Sequence, residues 1–275
     1  MKSLLSILIA FTLCLTGCGN PLPQEPETTD PSASQQTQQT PPTVQEPEQE
    51  EPVQEPEEIH PAAPKVVVID AGHQARANTE QEPIGPGASE TKMKVTGGTA
   101  GVATGIPEYE LVLTVAQQLR TELESRGYQV VMIRESHDVN MSNRERAEIA
   151  NQSGGDIFLR IHANGSEDPS VTGTMTLCPT PQSPYPIGGL YDQCRLLSDC
   201  VLNEFVNATG AKKLYVWETD TMSGINWCQI PVTIVEMGFM SSPQEDALLN
   251  DPVYQGHMVN GIANGVDAYF TQLGS

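Results

Sequence analysis

Three apolar runs in this chain are followed by a residue that can bind a metal or move a proton. The pairs of run and residue are 65–69 with His73, 156–161 with His162, and 230–235 with Glu236. Such runs favour buried strands, and ligands of α/β sheets gather at the carboxyl ends of strands. Two imidazoles and a carboxylate suit Zn²⁺ and leave a fourth position for water, while another carboxylate can act as a base. Glu108 and Glu236 are the candidates for these two carboxylates.

Each of the four residues also has a structural interpretation. His73 could bond the backbone of a turn, and His162 could be a hydrogen-bonded histidine of the core. Glu108 could stabilise a helix N-terminus through the macrodipole, and Glu236 could belong to a buried ion pair. Spacing alone therefore leaves a metal site and these structural roles open.

The elements around these residues alternate between strand and helix patterns. The predicted strands are 65–70, 128–133, 156–162, 172–178, 213–217 and 230–236, and the predicted helices are 108–126, 142–151, 189–208 and 252–273. This alternation predicts an α/β fold. We expect a single catalytic domain with a mixed, mostly parallel sheet covered by helices on both faces.

The segment 74–107 has no clear periodicity and is rich in glycine, threonine and proline. Its length is typical of a functional loop. We expect it to surround the mouth of the site, where it would shape substrate choice or gate access. The alternative is an inert surface loop.

The N-terminus has the pattern of an export signal. Lys2 precedes an apolar run over 4–13, and Leu15-Thr16-Gly17-Cys18 closes it. This ending resembles the bacterial lipoprotein signal, in which the cysteine is lipidated and becomes the mature N-terminus. We therefore expect a signal peptide over 1–17 and an extracytoplasmic protein that Cys18 anchors to the bacterial cell membrane. An ordinary signal peptide or an uncleaved anchor is the alternative.

The next segment is predicted to be a disordered tether over 18–63, followed by the catalytic domain over 64–275. Residues 19–63 contain ten acidic residues and ten prolines but no Lys or Arg. Such a composition buries too little apolar surface to fold and favours extended chain, on the order of 100 Å at full length. Of the net charge of −21, the tether carries −10, the domain −12 and Lys2 +1. This sign argues against nucleic acid as a partner.

Four cysteines fall in the predicted domain, at 178, 194, 200 and 228. Outside the cytoplasm an even number suggests two disulfides, with free buried thiols as the alternative. Cys194 and Cys200 should not pair, because six residues of helix separate them by roughly 9 Å, beyond the limit of roughly 7 Å.

Five motifs of the predicted domain occur in a specific order. They are Asp70-Ala71-Gly72-His73, Glu108 with Leu113 and Ala116, Arg146 with Ile149-Ala150-Asn151, Ile161-His162-Ala163-Asn164, and Val235-Glu236-Met237-Gly238-Phe239-Met240. Together they resemble the zinc-dependent N-acetylmuramoyl-L-alanine amidases of the type 3 catalytic family. The resemblance covers essentially all of 65–271. One departure is that Gln74-Ala75 follows the first histidine, where many members have Gly-Gly.

The resemblance implies that His73, Glu108 and His162 bind Zn²⁺ and that Glu236 is the catalytic glutamate. Glu110 is the less favoured alternative to Glu108. The implied substrate is peptidoglycan, cut between N-acetylmuramic acid and L-alanine. Two other functions stay open, namely a non-catalytic peptidoglycan-binding or regulatory module on the same fold and a zinc peptidase.

The resemblance leaves three neighbouring residues with open roles. Asp70 has two candidate roles, either orienting His73 or capping the turn. Arg146 and Asn151 are expected to be structural or to face the substrate.

Overall fold

A computed structural model describes residues 63–274 of the chain. The predicted signal, Cys18 and nearly all of the predicted tether lie outside these residues. The described strands are β1 (Val66–Ala71), β2 (Asn78–Pro83), β3 (Thr91–Val95), β4 (Gln129–Met132), β5 (Ile157–Asn164), β6 (Thr174–Cys178), β7 (Lys213–Glu218) and β8 (Val232–Phe239). The described helices are α1 (Glu108–Ser125), α2 (Asn143–Gln152), α3 (Tyr191–Thr209), α4 (Ser223–Asn226), α5 (Pro243–Leu249), α6 (Pro252–Gln272) and a 3₁₀ helix (Pro186–Leu190).

Six strands form one sheet in the order β4-β1-β5-β8-β6-β7, and β2 and β3 form a separate antiparallel hairpin. Within the large sheet only the β6–β8 pair is antiparallel, and the other four pairs are parallel. This arrangement confirms the predicted α/β fold with a mixed, mostly parallel sheet.

Alternate residues of the strands enter two separate cores. In β5, Leu159 and Ile161 join a core with side chains of α1, α3 and α6. Phe158 joins the other core, to which α2 contributes Ala147 and α4 contributes Ile225. Because side chains alternate along a strand, the polar residues at positions 160 and 162 lie on the same face of the sheet as Phe158. Helices thus cover both faces, as predicted.

Two predicted helix ends are well supported by local chemistry. At the start of α2, the Ser142 hydroxyl accepts from the Glu145 backbone while the Glu145 carboxylate accepts from the Ser142 backbone, which is a capping box. At the end of α1, Arg126 is the C-cap and Gly127 follows with φ of +91°. A left-handed residue at that position ends a helix at low cost only when it is glycine.

The structure corrects the expectation of two disulfides. Cys178, Cys194, Cys200 and Cys228 are all free and all buried. Burial raises the pKa of the Cys178 and Cys194 thiols to about 12. These cysteines therefore pack as small apolar side chains.

Five elements were not predicted, namely the two strands of the β2–β3 hairpin, the 3₁₀ helix and the short helices α4 and α5. The hairpin lies inside the segment 74–107 that was expected to be a loop. Within residues 63–274, no helix has the length and apolar character needed to cross a bilayer.

Candidate metal centre

Three donor atoms converge at the carboxyl ends of β1 and β5 and the start of α1. His73 Nε2 lies 3.1 Å from Glu108 Oε1, and His162 Nδ1 lies 3.2 Å from the same oxygen. The two imidazole nitrogens are 3.1 Å apart. These residues are far apart in the sequence, at positions 73, 108 and 162. The fold brings their donor atoms into one nearly equilateral triangle.

The triangle fits one face of a tetrahedral metal site. Ligand distances of roughly 2.0–2.1 Å in such a site correspond to ligand–ligand edges of roughly 3.3–3.4 Å, close to the separations observed here. Two imidazoles and one carboxylate are donors that zinc accepts, and the three residues form the one group of potential metal ligands found among residues 63–274. Glu110 is not part of it, since its Oε1 accepts from the Tyr109 hydroxyl.

His73 is held in an unusual backbone conformation. Its φ of +59° is the one positive value at a non-glycine residue in the described part of the chain. Strain of this kind persists where the surrounding structure enforces it, and it concentrates at functional sites. His73 Nδ1 lies 3.0 Å from the Thr96 carbonyl oxygen, so Nδ1–H donates to it and the lone pair of Nε2 faces the triangle.

His162 occupies space that only a glycine at position 72 leaves free. A Cβ built on Gly72 would lie 2.2 Å from the His162 ring, which explains the glycine of the Asp70–His73 motif. Burial lowers the pKa of His162 to about 4. The ring is therefore neutral at physiological pH, and its Nδ1 lone pair is available to a metal.

Glu108 is fixed by backbone donors from both sides. Its Oε1 accepts from the Ala163 amide at 3.1 Å, and its Oε2 accepts from the Thr99 amide at 3.0 Å. Burial alone would raise the pKa of Glu108, but the contacts with His162 and His73 outweigh it and hold the pKa well below its usual range. Glu108 is thus ionised, as a metal ligand must be.

Glu236 lies beside the triangle on the neighbouring strand. Its Cα is in register with that of His162 in the parallel β5–β8 pair. The Oε2 atom is buried and has no hydrogen-bond partner among the described residues. Burial raises the pKa of Glu236 to about 8, and the Glu108 carboxylate contributes in the same direction. A carboxyl group with a pKa near neutrality is suited to accepting and returning a proton.

Asp70 does not orient His73. Its carboxylate instead binds two arginines, with Oδ1 2.6 Å from Arg146 Nη1 and Oδ2 3.0 Å from Arg160 Nη2. Burial opposes ionisation, but Arg146 and Arg160 together lower the pKa of Asp70 to about 2. Arg146 in turn donates to the His73 carbonyl at 2.9 Å. The fully buried pair Asp70–Arg146 therefore fixes the backbone of the turn, a structural role.

Asn151 is also structural. Its side-chain amide donates to the Trp227 carbonyl at 2.9 Å, and its oxygen accepts from the Gln229 amide at 2.8 Å. These two contacts tie the end of α2 to the segment between α4 and β8.

A cavity of about 470 Å³ opens next to the triangle and is lined by His73, His162 and Glu236. Sequence reasoning did not single out a further polar residue of its wall, Arg160. The signal was present, because residue 160 lies two positions before His162 on the same strand and must face the same side.

The segment 74–107 contributes directly to this centre. Lys92, Met93, Val95 and Thr96 line the cavity. The Lys92 ammonium donates to the Thr221 carbonyl at 2.7 Å, which joins the hairpin to the opposite rim. Together with the contacts of Thr96 and Thr99 to two of the three donor residues, this position excludes an inert surface loop.

Comparison with known proteins shows the family of this chain. A family model described as N-acetylmuramoyl-L-alanine amidase matches residues 67–268. The germination-specific N-acetylmuramoyl-L-alanine amidase of Bacillus subtilis is 27% identical over 202 residues, which cover 65% of this chain and 78% of that protein. The amidase AmiA of Escherichia coli is 25% identical over 248 residues, which cover 72% of this chain and 85% of that protein.

Solved structures share the fold. The N-acetylmuramyl-L-alanine amidase Ami1 of Mycobacterium abscessus superimposes with a TM-score of 0.68 at 25% identity, covering 76% of this chain and 99% of that one. The catalytic domain of the amidase CwlV from Bacillus (Paenibacillus) polymyxa gives a TM-score of 0.61 and covers 75% of this chain and 98% of that one. The match over 67–268 accounts for most of the chain, which therefore belongs to the N-acetylmuramoyl-L-alanine amidase family of peptidoglycan hydrolases.

Proposed function

We propose that this protein is a zinc-dependent amidase that acts outside the cytoplasm and splits the bond between N-acetylmuramic acid and L-alanine. His73, Glu108 and His162 hold the zinc ion, and Glu236 is the catalytic residue. The observation that carries the proposal is the triangle of three donor atoms with edges of 3.1–3.2 Å beside a buried, unpartnered carboxylate.

The triangle supports zinc through its electrostatics as well as its shape. Glu108 is ionised and His162 is neutral, because their pKa values are both lowered by their surroundings. Both groups are therefore in the protonation state that binds a metal, and no proton has to be displaced from them at neutral pH. A zinc ion there supplies Lewis acidity toward the amide carbonyl and lowers the pKa of a water molecule from 15.7 toward roughly 7.

Glu236 is positioned to move the proton of the hydrolytic water. The positive charge of a bound zinc ion would favour the ionised form of Glu236, which can take up that proton and return it to the nitrogen of the leaving L-alanine. The products are a lactyl carboxylate on the sugar and a free amino group on the peptide. Water is the nucleophile, so no covalent link to the protein is needed.

The N-terminal sequence supports a location at the wall. We propose that 1–17 is a cleaved signal, that a lipid at Cys18 anchors the protein to the cell membrane, and that 18–63 spaces the domain 64–275 from it. Peptidoglycan lies outside the cytoplasm, and a lipid-anchored wall enzyme needs a spacer of this kind.

Identification of the released fragments tests the bond specificity. Purified protein loaded with zinc is incubated with peptidoglycan. The masses and sequences of the released fragments are then determined by mass spectrometry. We expect intact stem peptides that begin with a free L-alanine amine. New termini inside the peptide would instead establish a peptidase, and no release by folded, zinc-loaded protein would favour the binding module.

A further inference from the structure

The cavity beside the metal centre has the opposite charge balance to the rest of the domain. In residues 64–275, acidic residues outnumber Lys and Arg by 25 to 13. Two cations, Lys92 and Arg160, nevertheless line the cavity, and Glu236 is the one carboxylate of its wall. Because like charges repel and a low-dielectric wall strengthens local fields, this reversal favours an anionic group in the occupant.

Arg160 lines this cavity and keeps one guanidinium nitrogen free of hydrogen bonds to the described residues. The residue is only 3% exposed. Its Nε and Nη2 atoms both donate to Asp70, and Nη2 also donates to the Asn143 side chain at 2.8 Å. Nη1 donates no hydrogen bond to any of residues 63–274. A buried guanidinium fixed on one side and free on the other is a preorganised donor for a carboxylate.

The charge of Arg160 is incompletely compensated within the protein. Asp70 is shared between Arg160 and Arg146, so one carboxylate serves two buried guanidinium groups. The Lys92 ammonium is held at the cavity rim by the Thr221 carbonyl, which is neutral. An anion that enters the cavity therefore adds a counter-charge beside these two cations.

The backbone of α4 is adapted to this guanidinium. A Cβ built on Gly224 would lie 1.8 Å from Arg160 Nη1. Any side chain at position 224 would thus collide with the group or push it from its place. Glycine therefore lets Nη1 pack against the backbone of α4, and both Arg160 and Gly224 line the cavity.

The spacing along β5 relates Arg160 to the bond that is cut. Arg160 and His162 are two residues apart on one face of the strand, which is roughly 7 Å along its axis. Two residues of an extended peptide cover about the same length. With the scissile amide at the metal centre, the residue after L-alanine therefore reaches the level of Arg160.

We propose that this cavity is a subsite for a free carboxylate on the residue that follows L-alanine in the stem peptide, and that Arg160 binds it. Lys92 at the rim adds to the attraction. The proposal rests on the proposed amidase function and adds a substrate preference, namely for stem peptides that are acidic at this position over those in which the acid is amidated.

The test compares two N-acetylmuramoyl-L-alanyl peptides that differ in one group. Their second residue is glutamate with either a free α-carboxylate or an α-carboxamide. For the zinc-loaded protein we expect kcat/KM to be at least about tenfold higher for the carboxylate, the effect of one hydrogen bond to a charged group. Equal values or a preference for the amide would overturn the subsite while leaving the amidase intact. Hydrolysis of neither substrate would overturn both.

Paired variants assign the preference to its residues. We expect R160Q to bring the ratio of the two kcat/KM values close to one, whereas R120Q, which removes a surface charge on α1, keeps the wild-type ratio. A wild-type ratio in R160Q would overturn the assignment to Arg160.

If R160Q does not fold, the hairpin supplies a second pair of variants. K92Q should lower the ratio by about two- to threefold. K94Q is the matched control, since the Lys94 ammonium binds Glu80 at 2.7 Å. An unchanged ratio in K92Q would then overturn the charged subsite.

Discussion

At the scale of single residues, two of the three candidate ligands, His73 and Glu108, are oriented by groups outside the triangle. The Thr96 carbonyl fixes the tautomer of His73, and the Ala163 and Thr99 amides hold the two oxygens of Glu108. Partners of this kind raise the affinity of a metal site because the ligands lose little freedom when the ion binds. The centre is therefore preorganised by backbone groups, which substitutions of side chains do not remove.

Glu236→Gln tests the catalytic residue. We expect the variant to fold and to bind zinc like the wild type, since Glu236 is not a ligand, but to lose hydrolysis by a factor of at least about 10² because the amide cannot accept a proton. Zinc content and the rate of peptidoglycan release measured on one preparation decide the point. A variant that keeps the wild-type rate would show that another group moves the proton.

Asp70→Asn tests the buried ion pairs behind the turn. At pH 7 we expect the free energy of unfolding to fall by about 3 kcal/mol, because two buried guanidinium groups lose their counter-charge. The pKa of Asp70 is lowered to about 2 from 3.8. Its contribution is therefore complete above pH 4, and about 2 kcal/mol of it is lost as the pH falls toward 2.

Urea unfolding of metal-free wild type and D70N across this pH range measures the effect of Asp70. The difference between the two proteins should narrow below pH 4. A difference that stays constant from pH 7 to pH 2 would contradict the ionised pair.

At the scale of elements, the centre depends on the segment between β1 and α1 as much as on the strands. Gly98 in this segment has φ of +75°, and a Cβ built on it would lie 2.7 Å from Glu108 Oε2. Gly87 in the same segment has φ of +77°, and a Cβ there would meet nothing within 4 Å. A substitution would strain the backbone at both positions. Only at Gly98 would the new side chain also collide with the candidate ligand Glu108.

We therefore expect Gly98→Ala to weaken zinc binding by about tenfold or more, since it displaces a ligand or its supporting loop. Gly87→Ala should cost stability by about 1 kcal/mol and leave the affinity for zinc at the wild-type value. Competition with a zinc-binding dye measures both. Equal zinc affinities in the two variants would mean that the segment does not support the centre.

Most of the sheet could be predicted from the sequence because its four inner strands, β1, β5, β6 and β8, are largely apolar and almost entirely buried. β1 and β5 illustrate this, and their carboxyl ends located His73 and His162 correctly. The β2–β3 hairpin could not be predicted. Residues 78–83 are polar and pair only with β3, so they carry no alternation of apolar and polar residues.

The partners of Asp70 were likewise out of reach of sequence reasoning. Arg146 and Arg160 are 76 and 90 residues away along the chain, and only the register of β1 with β5 and the docking of α2 bring them to Asp70. Local patterns predict elements, whereas contacts of this range follow from how the elements pack.

At the scale of the whole molecule, the charge distribution bears on the proposed attachment to a membrane. The proposed tether carries −10 and the domain −12, so both repel anionic lipid. The proposed attachment would then depend on a lipid at Cys18 and not on the surface of the domain.

Cys18→Ser tests the proposed anchor. We expect the wild type to partition into the membrane fraction and the variant to be released from it, because the serine cannot be lipidated. The zinc-loaded variant should keep the wild-type rate on isolated peptidoglycan. A variant that stays in the membrane fraction would contradict the lipid anchor.

The central claim is that His73, Glu108 and His162 bind a zinc ion on which amidase activity depends. Metal-free protein is titrated with Zn²⁺, and the bound metal and the release of peptides that begin with L-alanine are measured together. The variant His162→Ala is treated in the same way. We expect bound zinc and peptide release to rise in parallel and to saturate near one zinc per wild-type chain, and we expect the variant to show neither. Full activity in the metal-free protein, or an unchanged zinc stoichiometry in the variant, would contradict the claim.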